Sequence, residues 1–361
     1  MKTKKAEVIA FYLPQFYPVK ENDVWWGKGF TEWTNVGKAK KYFPTHYQPR
    51  IPADLGYYDL RISEVREQQA EMAKEAGIAA FCYWHYWFGN GRQLLDMPLK
   101  EVVKSGKPDF PFCLGWANHD WSKKNWNKDV SRFSNEYLMK QEYPGKEDVD
   151  NHFYTMLPMF SDSRYYKTHG KLLFYIYAAE LIPDLSYFIE RWQELAEINK
   201  LPGFFFVAGC MDTEKLNSEN FKLCDAVSVD LKSKAFGTGG IKWKRRLSYL
   251  FPFPINVVNY KKAIKKWESP IYKNARIYPT IYPNWDHSPR VGNSGTILHN
   301  STPELFKNHV EYMIDMVKEK EMDDRIIFLK SWNEWAEGNY MEPDLKFGKR
   351  YINALREILH G

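Results

Sequence analysis

The sequence predicts an α/β fold, a (β/α)₈ TIM barrel with long loops at the C-terminal face of its strands. Three observations predict it. Eight short apolar runs recur along the 361 residues, helix-period segments separate them, and polar, acidic and aromatic side chains gather where the runs end. The runs are continuous rather than alternating, as strands buried on both faces require. Strict strand–helix alternation favours a closed barrel. An open doubly wound sheet is the competing arrangement, because the sixth run is short and the helix after it is weakly marked.

In chain order the runs are residues 7–13, 78–84, 110–117, 171–178, 203–209, 226–230, 277–282 and 326–332. Between the first two, residues 61–76 form a helix with Glu64, Glu67, Glu71 and Lys74 on a wet face. Val65, Ala70 and Met72 point to the core, and Gly77 stops it. Residues 184–199 and 303–320 have the same character. The second of these opens on Ser301-Thr302-Pro303-Glu304, an N-cap followed by proline in the first turn. A helix over 349–359 closes the chain. No internal repeat or low-complexity linker divides the sequence, so residues 1–361 are expected to form one catalytic domain.

Three segments that follow strands are long: 14–60, 118–151 and 231–274. In this fold the loops after strands carry the active site, and loops of such length are more often functional than idle. The third contains Gly237-Thr238-Gly239-Gly240, readable as a mobile lid or as a plain surface loop.

Composition narrows the function. Fourteen Trp, 24 Tyr and 23 Phe make 17% of the chain. Such side chains fill cores, but clustered after strands they also suit the C–H faces of sugars. The net charge of +6 is mild, and the densest basic run (Lys242, Lys244, Arg245, Arg246) holds one aromatic. That reads as a solvated face rather than a nucleic-acid site, with loose attraction to anionic lipid or acidic polysaccharide left open. Cys82, Cys113, Cys210 and Cys224 read as free buried thiols in a reducing compartment. No CxxC or HExxH pattern calls for a metal, and no cofactor is expected. Met1 to Lys5 lead directly into Val8-Ile9-Ala10-Phe11-Tyr12, and no apolar stretch reaches membrane-spanning length. The expectation is a cytoplasmic protein with no integral membrane segment.

The chemistry is expected at the end of the eighth run, in Trp332-Asn333-Glu334-Trp335-Ala336-Glu337-Gly338. Carboxylates at that end of a barrel strand have no packing task, and flanking tryptophans lower the local polarity and raise a carboxyl's pKa. Splitting a glycosidic bond commonly takes two carboxyl groups in different protonation states. Glu334 and Glu337 are therefore the candidate catalytic pair. Other strand ends supply candidate substrate contacts: Tyr12 and Gln15 after the first, Trp84, His85 and Tyr86 at the second, Trp116 and Asn118 at the third. Tyr177 and Glu180 follow the fourth, and Tyr282, Trp285 and Asp286 the seventh, while Trp332, Asn333 and Trp335 surround the carboxylates themselves. Aromatic floors with fixed hydrogen-bonding groups suit a sugar ring, so an oligo- or polysaccharide is the expected partner.

At these residues the sequence resembles the WbsX-type proteins related to glycoside hydrolase family 99. The matching pieces are Ala10-Phe11-Tyr12-Leu13-Pro14-Gln15-Phe16, Trp25-Trp26-Gly27-Lys28-Gly29-Phe30-Thr31-Glu32-Trp33-Thr34-Asn35 and His46-Tyr47-Gln48-Pro49. Further matches are Phe81-Cys82-Tyr83-Trp84-His85-Tyr86-Trp87-Phe88, Trp116-Ala117-Asn118, and the motif of Glu334 and Glu337 followed by Glu342-Pro343. The resemblance implies a (β/α)₈ barrel and a role in bacterial surface polysaccharide, where such proteins are labelled glycosyltransferases of lipopolysaccharide or O-antigen synthesis. The hydrolase relatives are retaining endo-α-mannosidases. By position the resemblance makes Glu334 the base on the sugar's 2-hydroxyl and Glu337 the acid/base, with Ala336 between them a departure from the pattern. Three readings follow: a retaining endo-acting glycosidase or transglycosidase, a glycosyltransferase using an activated sugar, and a non-catalytic sugar-binding barrel. Against the second, no nucleotide-binding glycine fingerprint is present.

Overall fold

The computed structural model describes residues 4–122, 136–237, 251 and 253–361. Eight parallel strands close on themselves: β1 (Glu7–Tyr12), β2 (Ile78–Trp87), β3 (Phe112–Trp116), β4 (Lys171–Ile176), β5 (Phe204–Cys210), β6 (Ala226–Val229), β7 (Ile277–Ile281) and β8 (Ile326–Leu329). Each pairs with the next. Closure comes from β1, which pairs with β2 on one side and with β8 on the other, Glu7 to Ala10 lying opposite Ile326 to Leu329. The open sheet is excluded. All eight predicted runs are strands, and nearly every residue in them is buried, the condition that made them read as unbroken apolar stretches.

Helices cover the outside: α1 (Ser63–Ala76), α2 (Met97–Ser105), α3 (Lys146–Phe160), α4 (Leu185–Ile198), α5 (Glu219–Leu223), α6 (Tyr260–Trp267), α7 (Pro303–Val317) and α8 (Arg350–His360). The expected caps are present. Thr302 accepts from Leu305 N to start α7, and Gly77 ends α1 in the left-handed region at φ 84°. As expected, Ala70 is buried on α1 and half-buried Val65 and Met72 pack against the core; Arg66, Gln69 and Ala73 are buried there as well. Two polar residues are tolerated there because each has partners: Gln69 accepts from Tyr12 Oη at 2.7 Å and donates to Glu342 at 2.6 Å, and Arg66 donates to Leu60 O.

The long segments hold more structure than the sequence reading assigned. Segment 14–60 contains short helices Lys20–Trp26 and Glu32–Gly37, the latter opened by a Thr31–Thr34 capping box. Segment 118–151 ends inside α3. Segment 231–274 contains Lys232–Phe236, the strand Asn256–Asn259 and α6, where Tyr260, Ala263, Ile264 and Trp267 recur at helical spacing and are all buried. Of the glycine stretch, Thr238 to Gly240 lie outside the described residues, as does the basic run Lys242 to Arg246.

Many aromatics are structural. Outside β4 and β5, Trp192 of α4 packs against Phe153, Phe160, Phe174, Phe188 and Phe204 with ring centroids 4.5–5.8 Å away. Inside the barrel, Phe11, Trp84, Tyr175 and Phe328 form the top layer, with Trp84 stacked flat on Phe11 at 4.4 Å. Glycine on β3 makes room for it. A Cβ at Gly115 would lie 3.0 Å from Cys82 Sγ and 3.2 Å from the Trp84 ring. All four cysteines are buried free thiols. No helix of the described residues is long and apolar enough to cross a membrane.

Candidate active site

Above that aromatic layer, at the C-terminal ends of the strands, a cavity of about 350 Å³ opens to solvent. Trp84, Tyr86, Tyr177 and Trp285 supply its flat walls, and Glu334 and Glu337 face it together with Arg290, Lys232 and Lys330. Among the described residues no cluster of three or more His, Cys, Asp or Glu is arranged to hold a metal ion.

The two glutamates sit on a stiff turn. Ser331 Oγ, just past β8, accepts from Asn333 N (3.1 Å) and Glu334 N (3.0 Å). The Asn333 side chain then clamps Leu13 at the exit of β1, accepting from its N at 2.8 Å and donating to its O at 3.0 Å. Trp335 to Glu337 make one 3₁₀ turn, and Asn333-Glu334 pairs antiparallel with Asn339-Tyr340. Gly338 closes the turn at φ 56°, where a Cβ would lie 2.8 Å from Asp286 Cβ, and Asp286 N donates to Glu337 O at 2.6 Å. Beneath the turn, buried Glu342 accepts from Trp335 Nε1 (2.6 Å), Gln69 Nε2 (2.6 Å) and Tyr58 Oη (2.9 Å).

The pair is electrostatically unequal. Burial, then the negative charge of Glu337, push the Glu334 carboxyl up to about 8. Burial acts on Glu337 in the same sense, but Arg290, His287, Lys232 and Lys330 together outweigh it: Arg290 Nη1 lies 2.5 Å from Glu337 Oε1, with His287 Nε2 at 3.7 Å. These charges hold the Glu337 carboxyl below the ordinary range. Arg290 is itself anchored by the fully buried Glu32, Nη2 to Oε1 at 3.1 Å. On the opposite wall Lys330 pairs with Asp230 at 2.6 Å, and Tyr282 Oη donates to the same carboxylate at 2.5 Å. Burial and the Glu337 charge thus raise the Glu334 carboxyl, while Arg290 and the other neighbouring cations lower that of Glu337.

Residues 8–355 match the family described as "Glycosyltransferase WbsX". The chain belongs to the WbsX family. A protein named WxcX, from two strains of Xanthomonas campestris pv. campestris, is 32% identical to this WbsX-family chain over 361 residues, covering 99% of it. The chain spans about half the length of those curated relatives. Among solved structures it is similar to one described as a glycoside hydrolase-like protein (TM-score 0.66, 15% identity, 100% of this chain and 96% of that one). It is also similar to the GH99 endo-alpha-mannosidase of Bacteroides thetaiotaomicron (TM-score 0.57, 16% identity, 99% and 96%). At such identities the likeness shows the fold alone, a (β/α)₈ barrel.

The barrel of this WbsX-family chain brings together some of the sequence-predicted site residues and separates others. Trp84, Tyr86, Trp285, Glu334 and Glu337 line the cavity, as does Tyr177. Strand alternation sends several neighbours the other way. Tyr12 points out to Gln69 of α1, whereas Phe11 beside it points in. His85 lies between inward Trp84 and Tyr86 and faces outward, its Nε2 2.8 Å from His152 Nε2 on α3. Trp116 packs on Phe188 of α4, and Trp332 on Phe81. Asn118 ties Ala178 after β4, donating to its O at 2.8 Å and accepting from its N at 2.9 Å. Tyr282, Asn333, Trp335 and Asp286 stand behind the cavity wall, Asp286 held by His46 Nε2 at 2.8 Å and Gln48 Nε2 at 2.7 Å. Gln15 is fully buried, its carbonyl accepting from Glu32 N.

Five site residues had escaped the sequence reading: Glu32, Asp230, Lys232, Arg290 and Lys330. Lys330 carried a signal, a charge placed directly after the apolar run of β8. Arg290 and Lys232 carried none, because their partners are distant in the chain.

Proposed function

We propose that this chain is a carbohydrate-active enzyme that acts on glycosidic bonds of bacterial surface polysaccharide, in the manner of a retaining, endo-acting glycoside hydrolase. The observation that carries the reading is the unequal pair. Glu334 holds a proton near neutral pH while Glu337 is ionised, both on one turn and facing one aromatic-walled cavity. Cleaving an acetal needs such a division of labour, one group giving a proton to the leaving oxygen and one negative group supporting the opposite side. The resting charges favour Glu334 as first proton donor and Glu337 as the anion. A likeness in fold to the GH99 endo-alpha-mannosidase supports the hydrolytic direction.

A second reading, transfer from an activated sugar, is favoured by the family's description as glycosyltransferase. One experiment separates them. Wild type, Glu334→Gln and Glu337→Gln are incubated with α-linked oligosaccharides, with and without nucleotide sugars, and products are resolved by mass spectrometry. The expected outcome is cleavage without nucleotide, reduced roughly 10²–10⁴-fold by either substitution. Product only in the presence of a sugar nucleotide would replace hydrolysis by transfer. Aryl glycosides with a good leaving group assign the roles, since they need no proton donor: they should restore activity to Glu334→Gln and not to Glu337→Gln. The opposite pattern would show that substrate binding moves the proton and that the order implied by the resemblance holds.

A further inference from the structure

Among the described residues three Lys or Arg side chains face the cavity, and two are already matched. Arg290 lies between Glu32 and Glu337, and Lys330 is 2.6 Å from Asp230. Lys232 differs. Its Nζ sits 3.2 Å from the ring centroid of Trp285, and among the described residues no carboxylate lies within ion-pair distance of it. The aromatic face holds the ammonium in place by taking the N–H that points into the ring, and leaves the donors directed away from it for a ligand. Its backbone is fixed too, since Lys232 N donates at 3.0 Å to Asp230 Oδ1, the carboxylate that pairs with Lys330. Burial and the neighbouring Lys330 pull the Lys232 ammonium down to about 8, so it remains mostly charged at neutral pH. The cavity thus presents a positioned cation with unfilled hydrogen-bonding capacity.

We propose that Lys232, braced on Trp285, binds the carboxylate of an acidic sugar, and that the substrate is a glycan containing uronic-acid residues. The inference rests on reading the cavity as a glycan site. The charge count sets the ligand class. Among the described residues Glu32, Glu337 and Asp230 already balance Arg290, Lys330 and Lys232 in number, so Lys232 offers a contact for a single negative charge and no surplus for more. A phosphomonoester or a diphosphate would bring about two charges against one. A uronate also keeps the pyranose ring, whose C–H faces fit the walls formed by Trp84, Tyr86 and Tyr177.

The test is binding, followed by tryptophan fluorescence on wild type and on the full chain carrying Glu334→Gln. The probes are oligomers of glucuronic, galacturonic and mannuronic acid, the same oligomers after reduction of the carboxyl to a primary alcohol, and neutral oligosaccharides bearing one phosphomonoester. At least one uronate oligomer should bind about tenfold or more tightly than its reduced counterpart. Lys232→Met should erase that preference, bringing the acidic and reduced oligomers to equal affinity, while Lys232→Arg should retain it. Equal binding of acidic and reduced forms by wild type, no binding of any uronate oligomer, or a preference for the phosphomonoester would overturn the proposal, even if Lys232→Met does not fold. Turnover of the same oligomers keeps the two claims apart. Carboxyl-dependent binding without cleavage leaves the subsite standing and removes the hydrolase reading, whereas cleavage of neutral glycans with no acid preference does the reverse.

Discussion

At the scale of single residues, Arg290 decides what the two glutamates are. It is the largest of the influences that lower Glu337 against burial, ahead of His287, Lys232 and Lys330. Arg290→Met should therefore move the acidic limb of the kcat/KM–pH profile to higher pH, because Glu337 loses the charge that holds it low. A limb that stays in place would show that something else keeps Glu337 ionised. Glu334 makes the complementary prediction on stability. Its folded pKa is about 8 and its unfolded value near the ordinary 4.5, so the folded state holds more protons between those values. Its contribution is fully present below about 4.5 and is lost as pH rises toward 8. Glu334→Gln should thus leave stability nearly unchanged at pH 4 and raise it at pH 8, by on the order of 2 kcal/mol after discounting for partial exposure. Thermal melts at the two pH values check this.

Elements matter because a turn, and not a helix or strand, aims the carboxylates. Gly338 combines a positive φ with a Cβ position 2.8 Å from Asp286. Gly338→Ala should cost about 1–3 kcal/mol in denaturant melts. It should also lower kcat by more than it raises KM, since the displaced group is Glu337. The same scale shows what was legible in the sequence. Eight buried strands announced themselves as unbroken apolar runs, and the end of the last one marked the acidic turn. Which side of each strand faces the cavity was harder. Aromatic and polar residues crowd both faces of β2 and β3, so Trp84, His85 and Tyr86 looked alike until strand alternation sent His85 to α3. The inner face of α1 was read incompletely, because Gln69 and Arg66 are polar yet buried on hydrogen-bond partners outside the helix.

For the whole molecule, the barrel converts sequence distance into proximity. Glu32 follows β1, Asp230 and Lys232 follow β6, Arg290 follows β7, and Lys330 to Glu337 follow β8, yet all converge on one cavity or its immediate support. No local pattern could reveal that Arg290 would meet both Glu32 and Glu337. Closure of β1 onto β8 is what brings the first and last of these segments together, with Asn333 clamping Leu13 across the seam. This convergence divides one proton unequally between two carboxyls. Carbon-13 NMR of the protein labelled at the glutamate carboxyl carbons, titrated from pH 3 to 9 in wild type, Glu334→Gln and Glu337→Gln, tests that division. One resonance should titrate near 8 and be absent in Glu334→Gln, and a second, missing in Glu337→Gln, should titrate below the usual carboxylate range. Two glutamates titrating together at ordinary values would contradict it.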